Sequence, residues 1–376
     1  MYTITTKEYA ELLNVCFDTR QPLFVMGGFG IGKSAIPRQV FAQRAKKMNR
    51  IFIEWADASI NSKLECLHTP EKYFVFADLR TSQMDTTSLQ GIPNMLKTEF
   101  LENIPYSWAI YFTTPKAGGA IFFDELNLAA PIVQSITYSA IWDRTISDRR
   151  LADDVYVFAA CNRMVDQAHT FDMPAPLKDR FAEVEVSVST DEWIEWAIHN
   201  DVNPHLISFI KWKPTNLYNV SAAKDQKPAT PRGVCRASKL IKGIDIYENE
   251  DKIHMLVSIS CGESFATEFQ AYMVCYKSIE WNVLFANPSK AKNLPSDQQY
   301  AISAELAEKF KKNPTDLKLL ELIFNIQENL REDFAVFSMR MMKSVDGKNF
   351  GKGIQQLDVG RRLAKCYGSV LIDINL

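Results

Sequence analysis

Over the first 190 residues, short dense apolar runs alternate with longer segments whose apolar positions have helical spacing, as strands and helices taken in turn would show. Leu23 to Met26 is an apolar run set between Pro22 and Gly27 and reads as a buried strand. After a glycine-rich stretch, AIPRQVFAQRAKKM carries Ile36, Val40, Phe41 and Ala45 at helical spacing. Ile51 to Trp55, Ala120 to Phe123, Val155 to Ala160 and Val184 to Val188 repeat the strand pattern. The chain then turns helical. Thr190 or Asp191 caps DEWIEWAIHN, with Trp193, Ile194, Ala197 and Ile198 on one face. Further helices are expected at Gly233 to Lys242, Lys252 to Ser258 and Ala266 to Tyr276, with a loop over 214–231. A second loop over 287–297 leads to a helix from Ser296 to Lys312. Thr315 then caps a longer helix carrying Leu319, Leu320, Ile323, Ile326, Leu330, Phe334 and Phe337. KSVDGKNFGKG, residues 343–353, reads as a mobile loop.

The candidate chemistry begins between the first strand and helix. Gly27, Gly28, Phe29, Gly30, Ile31, Gly32, Lys33 and Ser34 satisfy G-x-x-x-x-G-K-[ST], in the strand–loop–helix setting the motif needs. Four glycines in eight residues let backbone N–H groups turn inward around a phosphate. The helix N-terminus adds partial positive charge. Lys33 is expected to reach the β- and γ-phosphates of a nucleoside triphosphate, and Ser34 to hold Mg²⁺. The run Ala120 to Phe123 ends in Asp124-Glu125, at the carboxyl end of a strand beside the loop, where Mg²⁺ and its waters sit. Asp124 is expected to accept from Mg²⁺-bound water, and Glu125 to orient or deprotonate the attacking water. The alternative is an acidic pair capping the next helix, Leu128 to Trp142. Two adjacent carboxylates favour hydrolysis by water over transfer to a second substrate. The run Val155 to Ala160 leads into Cys161-Asn162-Arg163, and an amide at a strand tip can hold the attacking water or merely end the strand.

Taken together, VMGGFGIGKS, DLRTSQMDTTSLQGIP, GGAIFFDELNLA, FAACNR, PLKDRF, DEWIEWAI and TPRGVCRASKLI resemble the AAA+ ATPases and, within them, the MoxR-like, dynein-related branch. The resemblance covers roughly residues 1–275. It implies an α/β fold: a P-loop NTPase parallel sheet, forming an AAA+ core with a helix-2-type insert over 1–189. A small α-helical lid over 190–276 and a helical C-terminal extension over 277–376 follow. It also implies roles. Asn162 falls at sensor 1, Arg180 at the arginine finger that serves the neighbouring subunit's nucleotide, and Arg232 at sensor 2 on the lid. Arg144, Arg149 and Arg150 lie near the implied ring interface. Of the sixty or so residues before the acidic-pair strand, Tyr73 to Ala77, DLRTSQMD and QGIP belong to the implied insert, which faces the ring's channel. RTISDRRLADD, residues 144–154, resembles the hairpin this clade carries before sensor 1. Each segment either grips a substrate or packs subunits. Tyr73, Phe74 and Phe76 alternate with other apolar residues and are expected in the core. The implied assembly is a homo-oligomeric ring, a hexamer by family expectation. The implied task is chaperone-like remodelling of a protein substrate, often with a von Willebrand factor A-type adaptor.

Composition narrows the alternatives. The 376 residues carry 43 Lys plus Arg against 45 Asp plus Glu, a formal charge of −2, so no global basic field for nucleic acid exists. A local basic channel, with Lys116, Arg80 or Arg144, would still suit a nucleic-acid-directed motor or loader. A nucleotide-gated scaffold with little turnover is the third reading, and Glu125, Asn162 and Arg180 count against it. A small-molecule kinase would not need Arg180 in trans. No apolar run approaches the ~18–20 residues of a membrane span. MYTITTKEYAELL has no basic start before an apolar core, so no signal peptide is expected. Seven scattered cysteines without a C-x-x-C pair suit reduced thiols and a cytoplasmic setting. The histidines show no metal-ligand spacing, which leaves Mg²⁺ as the expected metal.

Overall fold

The computed structural model describes residues 1–96, 102–163, 179–219, 227–245 and 248–372. The chain divides into two compact units, Met1–Val188 and Ser189–Leu376. The first unit runs β1 (Tyr2–Ile4), α1 (Thr6–Thr19), β2 (Leu23–Gly27), α2 (Ala35–Lys47), β3 (Ile51–Glu54), α3 (Ile60–His68), β4 (Tyr73–Arg80) and α4 (Thr86–Gln90). It continues with β5 (Ile92–Pro93), β6 (Asn103–Ile104), α5 (Ser107–Thr113), β7 (Gly118–Asp124), α6 (Pro131–Tyr138), β8 (Thr145–Ile146), β9 (Arg149–Arg150), β10 (Asp154–Asn162) and β11 (Ala182–Val186).

Seven of these strands form one sheet in the order β1-β11-β2-β10-β7-β4-β3, and every pairing is parallel. The dense apolar runs explain it. Ala120 to Phe123 and Phe158 to Ala160 have no solvent exposure, although successive side chains leave opposite faces of a strand. Both faces are therefore covered, as parallel sheets require. Phe41 of α2 packs over Phe74, Phe76 and Phe158 with ring centroids 5.8–6.0 Å apart, and Phe122 stacks on Phe158 at 4.6 Å. β2, β10, β7 and β4 lie side by side and end on the same edge, with Asn162 level with Gly27 and Arg80 level with Asp124.

Several expectations need correction. Tyr73–Arg80 is no channel-facing insert: it is β4, an inner strand between β3 and β7, and Tyr73, Phe74 and Phe76 are buried as expected. The short ribbon β5–β6 is what remains of that insert among the described residues. β1 adds an edge strand beside β11. The helix expected from Leu128 to Trp142 is broken into a 3-10 turn (Leu126–Leu128), α6 and a π turn (Ser139–Asp143). Pro131 lacks the N–H a continuing helix needs and takes the first turn of α6 instead. Residues 144–154 do form the expected hairpin: β8 and β9 pair around Ser147 and Asp148, whose φ angles of 48° and 61° match a primed two-residue turn.

The second unit is helical, from Thr190–His199 and Pro204–Trp212 through to Asp358–Ile372. Ser189, not Thr190 or Asp191, caps its first helix. Pro204–Trp212 is a helix that the sequence reading passed over. The expected long helix is capped by Asp316 and is two helices, Leu317–Asn329 and Glu332–Val345, because Leu330 and Arg331 are extended. Its apolar stripe is buried on both sides of the break, except for half-buried Leu319. Residues 343–353 are not a loop. Asp346 accepts from the Asn349 N–H at 3.0 Å and caps a helix, Gly347–Gln356. Among the described residues, no helix is long and apolar enough to cross a membrane.

Candidate nucleotide site

The glycine loop leaves β2 and enters α2. Gly30 and Gly32 have φ of 74° and 103°, the left-handed region that side chains avoid. A Cβ on Gly27 would lie 2.7 Å from Ile31 Cδ1 and 2.9 Å from Val186 O, so the loop closes only around glycine. Lys33 is 7% exposed. Its ammonium donates to Gly27 O at 2.9 Å, Gly28 O at 2.7 Å and Asn162 Oδ1 at 2.7 Å. The topology thus brings the strand-tip amide of β10 onto the loop lysine. A buried ammonium inside the glycine loop is poised for an anion, since a phosphate oxygen makes a strong, charge-assisted bond.

The acidic pair lies beside it. Ser34 Oγ donates to Asp124 Oδ2 at 2.8 Å, and the Glu125 N–H donates to Asp124 Oδ1 at 2.9 Å. Asp124 thus faces the loop rather than capping α6, and Ala130, not an acidic residue, precedes that helix. Glu125 has φ 59° and ψ 34°, a left-handed conformation uncommon for residues other than glycine. Its carboxylate accepts from the Ser82 hydroxyl just beyond β4. Thr81 Oγ1 donates to Asp124 O at 2.8 Å, and Asn127 Nδ2 donates to Asn162 O at 3.1 Å. Thr81, Ser82 and Asn127 escaped the sequence reading. The first two lie in DLRTSQMD, where two hydroxyls directly after an apolar strand were the available signal.

Asp78 was also missed. It lies on β4, where burial, and after it the Asp124 charge, push its carboxyl up to about 6. Arg38 of α2 reaches Glu54 at 2.8 Å and Asp78 at 3.6 Å.

The remaining expected residues sit elsewhere. Arg180 lies just before β11, its guanidinium over the rings of Tyr138 and Trp142. Of PLKDRF, residues 176–178 fall outside the described residues. Arg144 Nη2 donates to Ala152 O at 2.8 Å, whereas Arg149 and Arg150 are exposed on the β8–β9 ribbon. Arg232 belongs to the second unit, exposed in the first turn of helix Pro231–Leu240.

The parallel sheet, the glycine loop and the strand-end carboxylates define the fold as that of a P-loop NTPase. No family model matches the chain, and no curated protein matches it. Among solved structures it is similar to a Cytophaga hutchinsonii protein inferred to be an ATPase, at 15% identity and a TM-score of 0.33, over 68% of this chain and 81% of that one. It is similar to a mutant of Thermotoga maritima RuvB at 12% identity and a TM-score of 0.28, over 84% and 81%. It is also similar to Brucella abortus NtrX in complex with ATP, at 12% identity and a TM-score of 0.32, over 97% and 67%. Superposition this slight says nothing of what this chain binds.

Proposed function

We propose that the chain is a Mg-dependent ATP hydrolase of the AAA+ type that assembles into a ring and remodels a protein partner. One observation carries the reading: four adjacent strand ends place the glycine loop, Asn162, the acidic pair and the Thr81-Ser82 hydroxyls around one point. The donor set fits Mg²⁺, because Ser34 and Asp124 offer hard oxygens 2.8 Å apart. Ser34 and Asp124 would hold the ion, which would supply charge neutralisation to the phosphates.

The residues then divide the work. The loop N–H groups and Lys33 hold the phosphates. Asn162 orients the attacking water, and Glu125 takes its proton as the water oxygen bonds to the γ-phosphorus. The bond to the bridging oxygen breaks and ADP leaves with that electron pair. Arg180, from a neighbouring copy, offsets the charge developing on the transferred group. The family resemblance gives Arg232, on the expected lid at 190–276, the sensor-2 role. The extension at 277–376 completes the second unit.

The ring is a hexamer in this reading, and the partner is a protein of the kind MoxR-like ATPases remodel, with or without a von Willebrand factor A-type adaptor. Exposed Ile92, Met95, Leu96 and Ile104 on and beside the β5–β6 ribbon suit a protein partner better than a phosphate backbone. Arg149 and Arg150 favour the second reading, a nucleic-acid motor, whose hydrolysis would be stimulated by DNA or RNA and lose that stimulation steeply with salt.

Glu125→Gln tests the hydrolytic core. It should bind ATP as the parent does and release phosphate roughly 100-fold or more slowly, the usual effect of removing a general base. Release at the parent rate would contradict the assignment.

A further inference from the structure

Arg180 is anchored at both ends. Phe181, next in the chain, is buried against Phe24 of β2 with ring centroids 5.2 Å apart, and the Ala182 N–H donates to Pro22 O at 2.9 Å. That fixes the backbone. At the other end the guanidinium carbon lies 3.9 Å from the Tyr138 ring centroid and 5.1 Å from that of Trp142. Tyr138 is the last residue of α6 and packs against the sheet core. Trp142 lies in the π turn and is 52% exposed. Such π turns are rare and frequently occur at functional sites.

The guanidinium head is held without being satisfied. Arg180 Nη1 is buried and has no hydrogen-bond partner among the described residues. A guanidinium has five N–H donors in its plane, and an aromatic face grips it without occupying them. An arginine serving only the fold would normally meet a carboxylate. Among the described residues the fold supplies grip but no matching acceptor for Nη1, beside a tryptophan at the surface.

We propose that Tyr138 and Trp142 are positioning residues: an aromatic holster that sets the Arg180 guanidinium for the terminal phosphate of a nucleotide held by a second copy of this chain. This rests on the hydrolytic reading above. Holding the side chain in advance removes ordering that would otherwise oppose the transition-state contact.

The test uses the full chain at assembling concentrations and saturating Mg-ATP, with Trp142→Ala and Trp142→Phe made alone and with Arg180→Ala. Trp142→Ala should lower kcat about 3- to 30-fold, the span from an exposed to a desolvated cation–π contact, with KM little changed. Trp142→Phe should restore most of the rate. In the Arg180→Ala background, Trp142→Ala should have almost no further effect, because a holster acts only through what it holds. Tyr138 packs on the core, so Tyr138→Phe is used there as a folded control that keeps the ring. Tryptophan emission of the free chain gives a readout apart from turnover: Arg180→Ala should change it, and the change should vanish in Trp142→Phe.

Arg180→Ala slow but Trp142→Ala at the parent rate would overturn the holster and leave the hydrolytic reading intact. An equal loss from Trp142→Ala with and without Arg180 would show simple packing and also overturn it. Arg180→Ala as fast as the parent would remove Arg180 from the reaction and overturn the holster together with the in-trans reading. Emission unaffected by Arg180→Ala would deny the contact itself.

Discussion

Asp78 shows how the fold loads charge into the site. Its side chain is 18% exposed, its Oδ1 is buried with no hydrogen-bond partner among the described residues, and the nearest cation, Arg38, is shared with Glu54. Its carboxyl titrates near 6 in the folded chain against 3.8 when unperturbed. Between those values the folded chain binds more protons than the unfolded one, so this residue's contribution to stability is full below 3.8 and is lost as pH rises through 6. Asp78→Asn, a neutral isostere, should therefore unfold at higher denaturant than the parent at pH 7.5, in buffer free of magnesium and nucleotide. The gap should close as the pH falls from about 6 to about 4. A gap independent of pH would contradict this. At this scale the sequence was legible where residues are contiguous. Lys33 and Ser34 sit in one motif, and Asp124 and Glu125 are neighbours. Asp78 was not, because it reaches the acidic pair only through the pairing of β4 with β7, which no local pattern encodes. Trp142 was hidden for a similar reason: it meets Arg180 across 38 positions of chain.

Among the elements, the expected strands are present and their neighbours are what surprised. Tyr73 to Ala77 had the density of a strand. Its place inside the sheet became visible only when β3 moved to the edge. The C-terminal helices carry the opposite lesson, since glycine and lysine in residues 343–353 suggested mobility and instead allow close packing. A Cβ on Gly360 would fall 2.6 Å from Gly353 O and 2.8 Å from Ile354 Cα, so helix Asp358–Ile372 touches the backbone of helix Gly347–Gln356. Alanine gains ~1 kcal/mol of helix propensity there but cannot fit without moving backbone. Overpacking of this kind typically costs about 1–3 kcal/mol. Gly360→Ala should lower the denaturation midpoint without changing the slope. A midpoint at or above the parent's would mean the two helices separate freely.

For the molecule as a whole, the α/β class and the helical second half were legible from the pattern alone, because burial on both faces of a parallel sheet leaves dense apolar runs. Assembly was not, since the residues expected to act in trans are ordinary arginines until something places them. Arg180 is where the account of the whole molecule is most exposed. If the site is completed by a neighbouring copy, hydrolysis per protomer must depend on assembly. The decisive measurement is the steady-state ATPase rate per protomer across protein concentration, repeated with Arg180→Ala protomers mixed in. A rate that rises steeply and then levels as rings form is expected, with mixtures that lose more activity than the fraction of mutant added. A high rate that stays flat down to concentrations where the protein is monomeric, and that falls only in proportion to added mutant, would contradict it.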